Sequence, residues 1–556
     1  MSGATVEHVD VVIVGAGLSG IGAGCHLQRR CPDKTFAILE ARGESGGTWD
    51  LFRYPGVRSD SDMFTLAYDF RPWTGTKAIG DGPSILRYIR ETARDRGIEP
   101  MIRYHRRAVK ASWSSAEARW TVEVECVDTG ATEEVTCGFL FANTGYYRYD
   151  AGYTPDFAGR ENFTGRIVHP QEWPGDLDCS GQRVVVIGSG ATAVTLVPAL
   201  ARTARHVTML QRSPSYVASV PESDPLDELV RGNLPPAVAR RLVRWKNMVI
   251  GWLIFQLSRN TPKLMKGWLL RGVAGQLPDG YDVGTHFTPD YQPWDQRLCL
   301  APDGDLFVAI SEGRASVVTD RIDSFCEKGI LLGSGAVLEA DVIVTATGLS
   351  LLMLGGMAVS VDGRPVDVAE AVTHKSVLLC GVPNLAFTFG YTNASWTLKS
   401  DLVARYVCRL LAHMDAGGYD TCTAVGPDPS MPTAPYLDLS SGYVRRSAAT
   451  FTRQGTKAPW RVRHNYPLDV LMFRYGRLDD EVAFSRSRPV GEPRLVVKIG
   501  DGRDPIPQDV RARQDEGEEC RTGRGVSLAF GRRRREHARD SGEPTGGGAH
   551  GGGSRW

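Results

Sequence analysis

Two glycine-rich turns are the residues of this chain whose types and spacing carry chemistry most plainly. The first reads Gly15-Ala-Gly17-Leu-Ser19-Gly20 and the second Gly188-Ser189-Gly190-Ala191-Thr192-Ala193. Glycines in such a turn let the backbone approach a pyrophosphate, and the helix that follows turns its positive end toward the phosphate charge. Glu40 falls twenty residues after Gly20, at the end of the apolar run 35–39. An acid at that point takes the hydroxyls of a ribose. After the second turn the matching run, from His206, ends instead in Gln-Arg212-Ser213. Arginine there pairs with the 2′-phosphate of NADP, where an acid would favour the free hydroxyl of NAD. Two such sites in one chain point to electrons passed from one bound dinucleotide to another.

The elements that must position these turns are legible on either side of them. The run His8–Val14 is β-branched and apolar, as a buried parallel strand should be, and a helix follows from Leu18 to about Arg30. Arg183–Ile187 repeats the pattern before the second turn, with a helix to about Thr203. Residues 81–97 read as a helix, Ala118–Val124 and Val135–Phe141 as a small β-meander, and 398–414 as another helix. The fold class expected is α/β, with two Rossmann-like dinucleotide-binding domains.

Between the turns lies Phe163-Thr-Gly165-Arg-Ile-Val-His169-Pro-Gln-Glu-Trp173-Pro174. It matches F-x-G-x-x-x-H-x-x-x-W-P at every fixed position, a pattern that resembles the fingerprint of type I Baeyer–Villiger monooxygenases. The family's other motifs stand in order across residues 5–490: Gly46-Gly47-Thr48-Trp49, Arg58-Ser-Asp60, Asp295-Gln296-Arg297 and Ala346-Thr347-Gly348. The resemblance implies FAD in the first fold, NADPH in the second, and a ketone or thioether oxidised with O₂, ketones becoming esters or lactones through a C4a-peroxyflavin. By the same likeness Gly15, Gly17, Ser19, Gly20, Glu40, Gly47, Thr48, Trp49, Asp60 and Val109 hold FAD. Arg58, the second turn from Gly188 to Ala193, Arg212 and Ser213 hold NADP. Arg297 is the catalytic cation, a use that suits a group that stays protonated, and Asp60 orients it. The family often has lysine before that arginine; Gln296 stands here, which leaves more of the 2′-phosphate to Arg212. His169 is expected to couple the domains rather than to transfer a proton. The residues 387–396 before the late helix are expected to line the substrate pocket or to pack the core.

The likeness also divides the chain. FAD-domain segments are expected at 1–150 and 341–490, with an NADP domain at 151–340 inserted between them, a helical insertion at 222–280 and a disordered tail at 491–556. The tail is rich in Gly, Arg and acids and poor in large apolar groups, too little to offset its ordering entropy.

Composition sets the remaining bounds. At 556 residues two or three domains are expected, and a formal charge of +1 gives no field that would select nucleic acid. The 11 cysteines form no C-x-x-C pair, so neither a zinc site, a disulfide framework nor a redox-cysteine reductase is indicated, and no metal is expected. A cytoplasmic setting follows from that cysteine usage. The first apolar run, Val9–Val14, reads as a strand rather than a leader. From Arg231 to Pro278 the chain carries lysines and arginines but no acid. The apolar stretch Met248–Leu257 within it is too short to cross a bilayer. It reads either as a core helix with a solvated basic face or as a surface for anionic lipid or self-association. Two rival functions remain: a flavin monooxygenase that oxidises nitrogen or sulfur, and a non-catalytic NADP-binding sensor or interaction module.

Overall fold

A computed structural model of the chain describes residues 6–486. The expected tail at 491–556 lies outside them. The chain builds two sheets and returns to the first after completing the second.

Strand β1 (Glu7–Val14) runs into helix α1 (Leu18–Arg30), which returns to β2 (Phe36–Leu39), parallel to β1. Alternate residues of β1 serve the two faces of the sheet: Val11 and Ile13 pack on the α1 side, Val12 and Val14 on the other. That period of two is what a strand buried on both faces requires. The one-turn helix α2 (Met63–Leu66) and the helix Gly82–Asp95 follow. An antiparallel meander comes next: β3 (Arg106–Ser114), β4 (Arg119–Cys126) and β5 (Thr132–Ala142), with β5 also parallel to β1. The sequence reading found the second and third of these strands and not β3, whose alternation is broken by a bulge between Ala108 and Lys110.

The chain then enters a five-stranded parallel sheet. It contains β6 (Arg166–Val168), β7 (Arg183–Ile187), β8 (His206–Gln211), β9 (Ala315–Thr319) and β10 (Val342–Thr345), in the spatial order β9-β8-β7-β10-β6. Helix α3 (Ala191–Leu200) joins β7 to β8. Val184 and Val186 face one core and Val185 and Ile187 the other. Between β8 and β9 the insertion forms a helix at Pro225–Asn233, then α4 (Pro236–Asn260) and α5 (Pro262–Ala274).

After β10 the chain rejoins the first sheet through β11 (Ala358–Val361), parallel to β3, and β12 (Leu385–Phe387), parallel to β5. Helix α6 (Trp396–Gly417) lies against α1 in the same core, where Leu402, Val407 and Leu411 meet Ile21 and Leu27. The mixed α/β fold with one dinucleotide sheet inserted into the other is therefore the architecture expected.

Candidate active site

Both glycine turns open onto one cavity of about 1710 Å³, well above the roughly 300–1,000 Å³ that suits a single small ligand. Gly15, Gly17, Ser19, Glu40, Gly47, Thr48, Trp49, Arg58, Asp60, Gly188–Thr192, Arg212, Ser213 and Arg297 all line it. Gly20, Val109, Ala193 and the five fingerprint residues do not.

Each turn has the form that a pyrophosphate needs. Helix α1 starts on Gly17 and α3 on Gly190, neither with a side-chain cap nor with an acid in its first turn. The first-turn N–H groups, which have no helical partners, are thus not taken up by the chain's own side chains. Two glycines explain how the turns come so close to the sheets. A Cβ on Gly20 would stand 1.8 Å from the Gly15 carbonyl oxygen, and one on Gly188, at φ +142°, 2.3 Å from that of Ala346. Gly20 serves helix–strand packing rather than the cavity wall, and buried Ala193 does the same in the second turn.

Glu40 is buried, and its carboxylate accepts the Ala16 N–H at 2.7 Å and the Arg42 N–H at 2.9 Å. Burial pushes its pKa up, and those two N–H groups pull against the rise. The following Gly46–Trp49 loop is fixed by Asp50, which sequence reading missed. That buried carboxylate meets Arg42 at 2.6 Å, Arg90 at 2.8 Å and Arg53 at 3.2 Å. At the start of β3, Arg106, Arg107 and Ala108 reach the cavity. Val109 sits one residue beyond, in the bulge of β3, off the cavity wall.

Arg212 leaves the end of β8 exposed and makes no ion pair among the described residues. Its neighbour across the sheet supplies what the sequence concealed. Gln211 pairs with Thr319 of β9, so Arg321, two residues on, lines the same end of the cavity as Arg212. Arg58, assigned to the nucleotide by likeness, donates through Nη1 to Asp305 at 2.5 Å while lining the cavity.

Arg297 Nη1 donates to Asp60 Oδ2 at 2.6 Å, across 237 residues of sequence. The arginine keeps 29% of its side-chain exposure and the aspartate 40%. Burial is the largest influence on Arg297 and opposes its charge, but Asp60 together with Tyr146, Tyr147 and Tyr443 more than offsets it, so the guanidinium's pKa is raised. Tyr146, Tyr147 and Tyr443 share this part of the cavity wall. Burial pushes the Tyr147 and Tyr443 phenols up, so both stay neutral donors. Tyr146 stacks on Trp396 at 5.1 Å, and Trp396 Nε1 donates to Ser19 at 2.7 Å. Of the stretch 387–396, Ala394 and Trp396 reach the cavity, while Phe387, Phe389 and Tyr391 are buried.

The fingerprint lies beside the crossing between sheets. Phe163 is buried, and a Cβ on Gly165 would stand 2.3 Å from the Asp341 carbonyl oxygen. His169 Nδ1 accepts the Gln171 N–H at 3.1 Å, so its proton is on Nε2, which is 3.2 Å from the Gly348 carbonyl. Burial lowers the pKa of His169 and keeps it neutral. Trp173 packs against the second sheet's core.

Comparison with known proteins decides the family. Residues 13–75 match the NAD(P)-binding Rossmann-like domain, and 81–245 match the flavin-binding monooxygenase-like family. The FAD-containing monooxygenase EthA of Mycobacterium tuberculosis is 52% identical over 488 residues, 87% of this chain and 99% of its own. EthA of Mycolicibacterium smegmatis is 51% identical over 476 residues, 85% and 96% of the two chains. The chain belongs to the FAD-containing flavoprotein monooxygenases. Among solved structures, an oxidised steroid monooxygenase bound to NADP superposes with a TM-score of 0.67 at 24% identity, covering 86% of this chain and 99% of that one. Cyclohexanone monooxygenase from Rhodococcus sp. Phi1 bound to NADP⁺ gives 0.62 at 19%, covering 76% and 87%. At such identities the likeness is one of fold, and it is the two-dinucleotide fold of this flavoprotein family. The family resemblance read from the motifs is thereby borne out.

Proposed function

We propose that this flavoprotein monooxygenase uses NADPH and O₂ to insert oxygen beside a ketone carbonyl, giving an ester or lactone. The observation that carries the reading is the Arg297–Asp60 pair, held at 2.6 Å on the wall of a cavity that both nucleotide turns share. The balance is one ketone, one O₂, one NADPH and one proton to one ester, NADP⁺ and water. FAD, when bound, supplies the hydride acceptance and oxygen activation.

The residues of the chain do the rest. The first-turn amides of α1 and α3 receive the two pyrophosphates, Glu40 the FAD ribose, and Arg212 with Arg321 the 2′-phosphate of NADPH. Thr48 and Trp49 lie along the flavin, and residues 1–150 and 341–490 form the FAD domain around the NADP domain at 151–340. Arg297 faces the negative charge that builds on oxygen during transfer, and Asp60 fixes its orientation so that no reorganisation is needed. Tyr146, Tyr147 and Tyr443 keep water away, and Tyr147 and Tyr443 offer neutral hydroxyls. His169, neutral and bound to the Gly348 carbonyl, couples the two sheets.

The test is product identification by mass with linear, cyclic and aryl ketones and with thioethers, in the presence of NADPH and O₂. Ester or lactone formation that Arg297→Ala abolishes while FAD is retained is the expected result. Sulfoxides or N-oxides with no ester from any ketone would overturn the substrate class. No product from any substrate, with FAD bound, would leave a nucleotide-binding module.

A further inference from the structure

Helix α4 leaves most of its large apolar side chains in solvent. Its solvent face carries Val238, Leu242, Trp245, Val249, Trp252, Leu253 and Leu257, which recur at the helical spacing of three or four, except for the adjacent pair Trp252–Leu253, and are each between 38% and 65% exposed. Leu264 and Trp268 of α5 extend the patch, at 74% and 61% exposed. The inward face buries Ala239, Val243 and Ser258, Val243 against Phe64 and Ala78, and beside them it carries polar anchors. Arg244 donates to the carbonyls of Phe64 and Ala67 at 2.7 and 2.8 Å, Asn247 to Asp62 at 3.2 Å, and Lys246 meets Asp227 at 2.6 Å. The stretch Met248–Leu257 is thus no core helix: α2 and its neighbours offer α4 carbonyls and carboxylates, and its apolar side is left outward. Contiguous exposed apolar surface of this kind marks an interaction site.

We propose that the α4–α5 face docks on an anionic lipid bilayer, lying in the interface plane with its tryptophans at headgroup depth. The charge pattern selects this occupant. Arg240, Arg241, Lys263 and Arg271 flank the apolar stripe, make no ion pair among the described residues, and have no acid beside them from 231 to 278. An isologous contact with a second copy would set this basic rim against itself. A bilayer bearing anionic headgroups meets both the rim and the stripe. No helix of the described residues is long and apolar enough to cross a membrane, so the element lies on the surface. The face adjoins the site: Phe255 packs edge-on against Trp294 at 5.5 Å, and Arg259 bonds Asp295 at 2.9 Å, two residues before Arg297.

The experiment is flotation of the full-length FAD-loaded protein with vesicles of phosphatidylcholine alone and with phosphatidylglycerol added. Wild type floats with the anionic vesicles and much less with the neutral ones, and salt weakens binding. Arg241→Glu with Arg271→Glu lowers anionic-vesicle affinity by about tenfold or more. Trp245→Ser with Trp268→Ser does the same, while both variants keep the flavin spectrum and NADPH oxidation of wild type. Should the variants misfold, quenching of wild-type tryptophan fluorescence by brominated lipid reads the same contact. Absence of flotation and quenching, flotation that neither variant weakens, or a loss of dimer mass in the variants without any lipid binding would each overturn the proposal.

Discussion

The replacement Asp60→Asn isolates the part of the site that the proposed chemistry leans on most. Asparagine keeps the shape and an acceptor oxygen but removes the charge that holds Arg297 at 2.6 Å. A hydrogen bond between charged partners contributes about 1.5–3 kcal/mol. Asp60 retains 40% of its exposure, which places this pair toward the lower half of that range. If the pair acts only when charge builds on oxygen, about 1.5–2 kcal/mol corresponds to a loss of roughly 10–30-fold in oxygen transfer. Anaerobic reduction of FAD by NADPH should change little, because neither nucleotide turn is touched. The assay is therefore double: stopped-flow flavin reduction without oxygen, and oxygenated product per NADPH consumed with it. Reduction near wild type with product yield down by about an order of magnitude is expected. Wild-type yield would refute the role of the pair, and loss of FAD would show Asp60 to be a structural residue instead.

Other perturbations follow from the same geometry. Arg212→Ala should weaken NADPH binding about tenfold with little effect on NADH, and adding Arg321→Ala should weaken it further; titration with both nucleotides checks this. Asp50→Asn strips a buried carboxylate from Arg42, Arg90 and Arg53 and should lower stability by about 3 kcal/mol with loss of FAD, read from denaturant midpoints; an unchanged midpoint would rule it out. His374 and His464 are both pushed down to about 4, first by burial and then by Lys375 and Lys399 respectively. The unfolded chain, with histidines near ~6.5, binds more protons than the folded one between those values, so stability should fall as pH drops through that window. Denaturant midpoints stepped from pH 6.5 to 4 should show it, and His464→Asn should flatten the slope; identical slopes would refute the assignment.

What sequence could show followed from how local each signal is. Strand, glycine turn and helix lie within a few residues of one another, so both nucleotide folds were legible from periodicity and spacing. The Asp60–Arg297 pair spans 237 residues, and only family likeness brought its members together. Arg321 gave no signal, because its place beside Arg212 depends on the register of β9 against β8. Asp50 gave no signal either, because Arg42, Arg53 and Arg90 come together on it only in the fold. The Met248–Leu257 run left two readings open for a physical reason: apolar periodicity says that a helix has two faces, not which one turns inward.

The loop between Phe52 and Asp60 belongs to the first sheet by sequence yet is rooted in the second. Tyr54 and Val57 are buried in the second sheet's core, a Cβ on Gly56 would meet that of Ala199 at 2.7 Å, and Arg58 is tied to Asp305. The same loop is stitched to the first half as well: Ser59 N–H donates to Gly80 at 2.9 Å and Gly82 N–H to Val57 at 2.8 Å, which leaves Asp60 between the two anchorages beside Arg297. A change anywhere along this loop is therefore felt in both halves at once, and the Asp60–Arg297 contact is the point where the two meet.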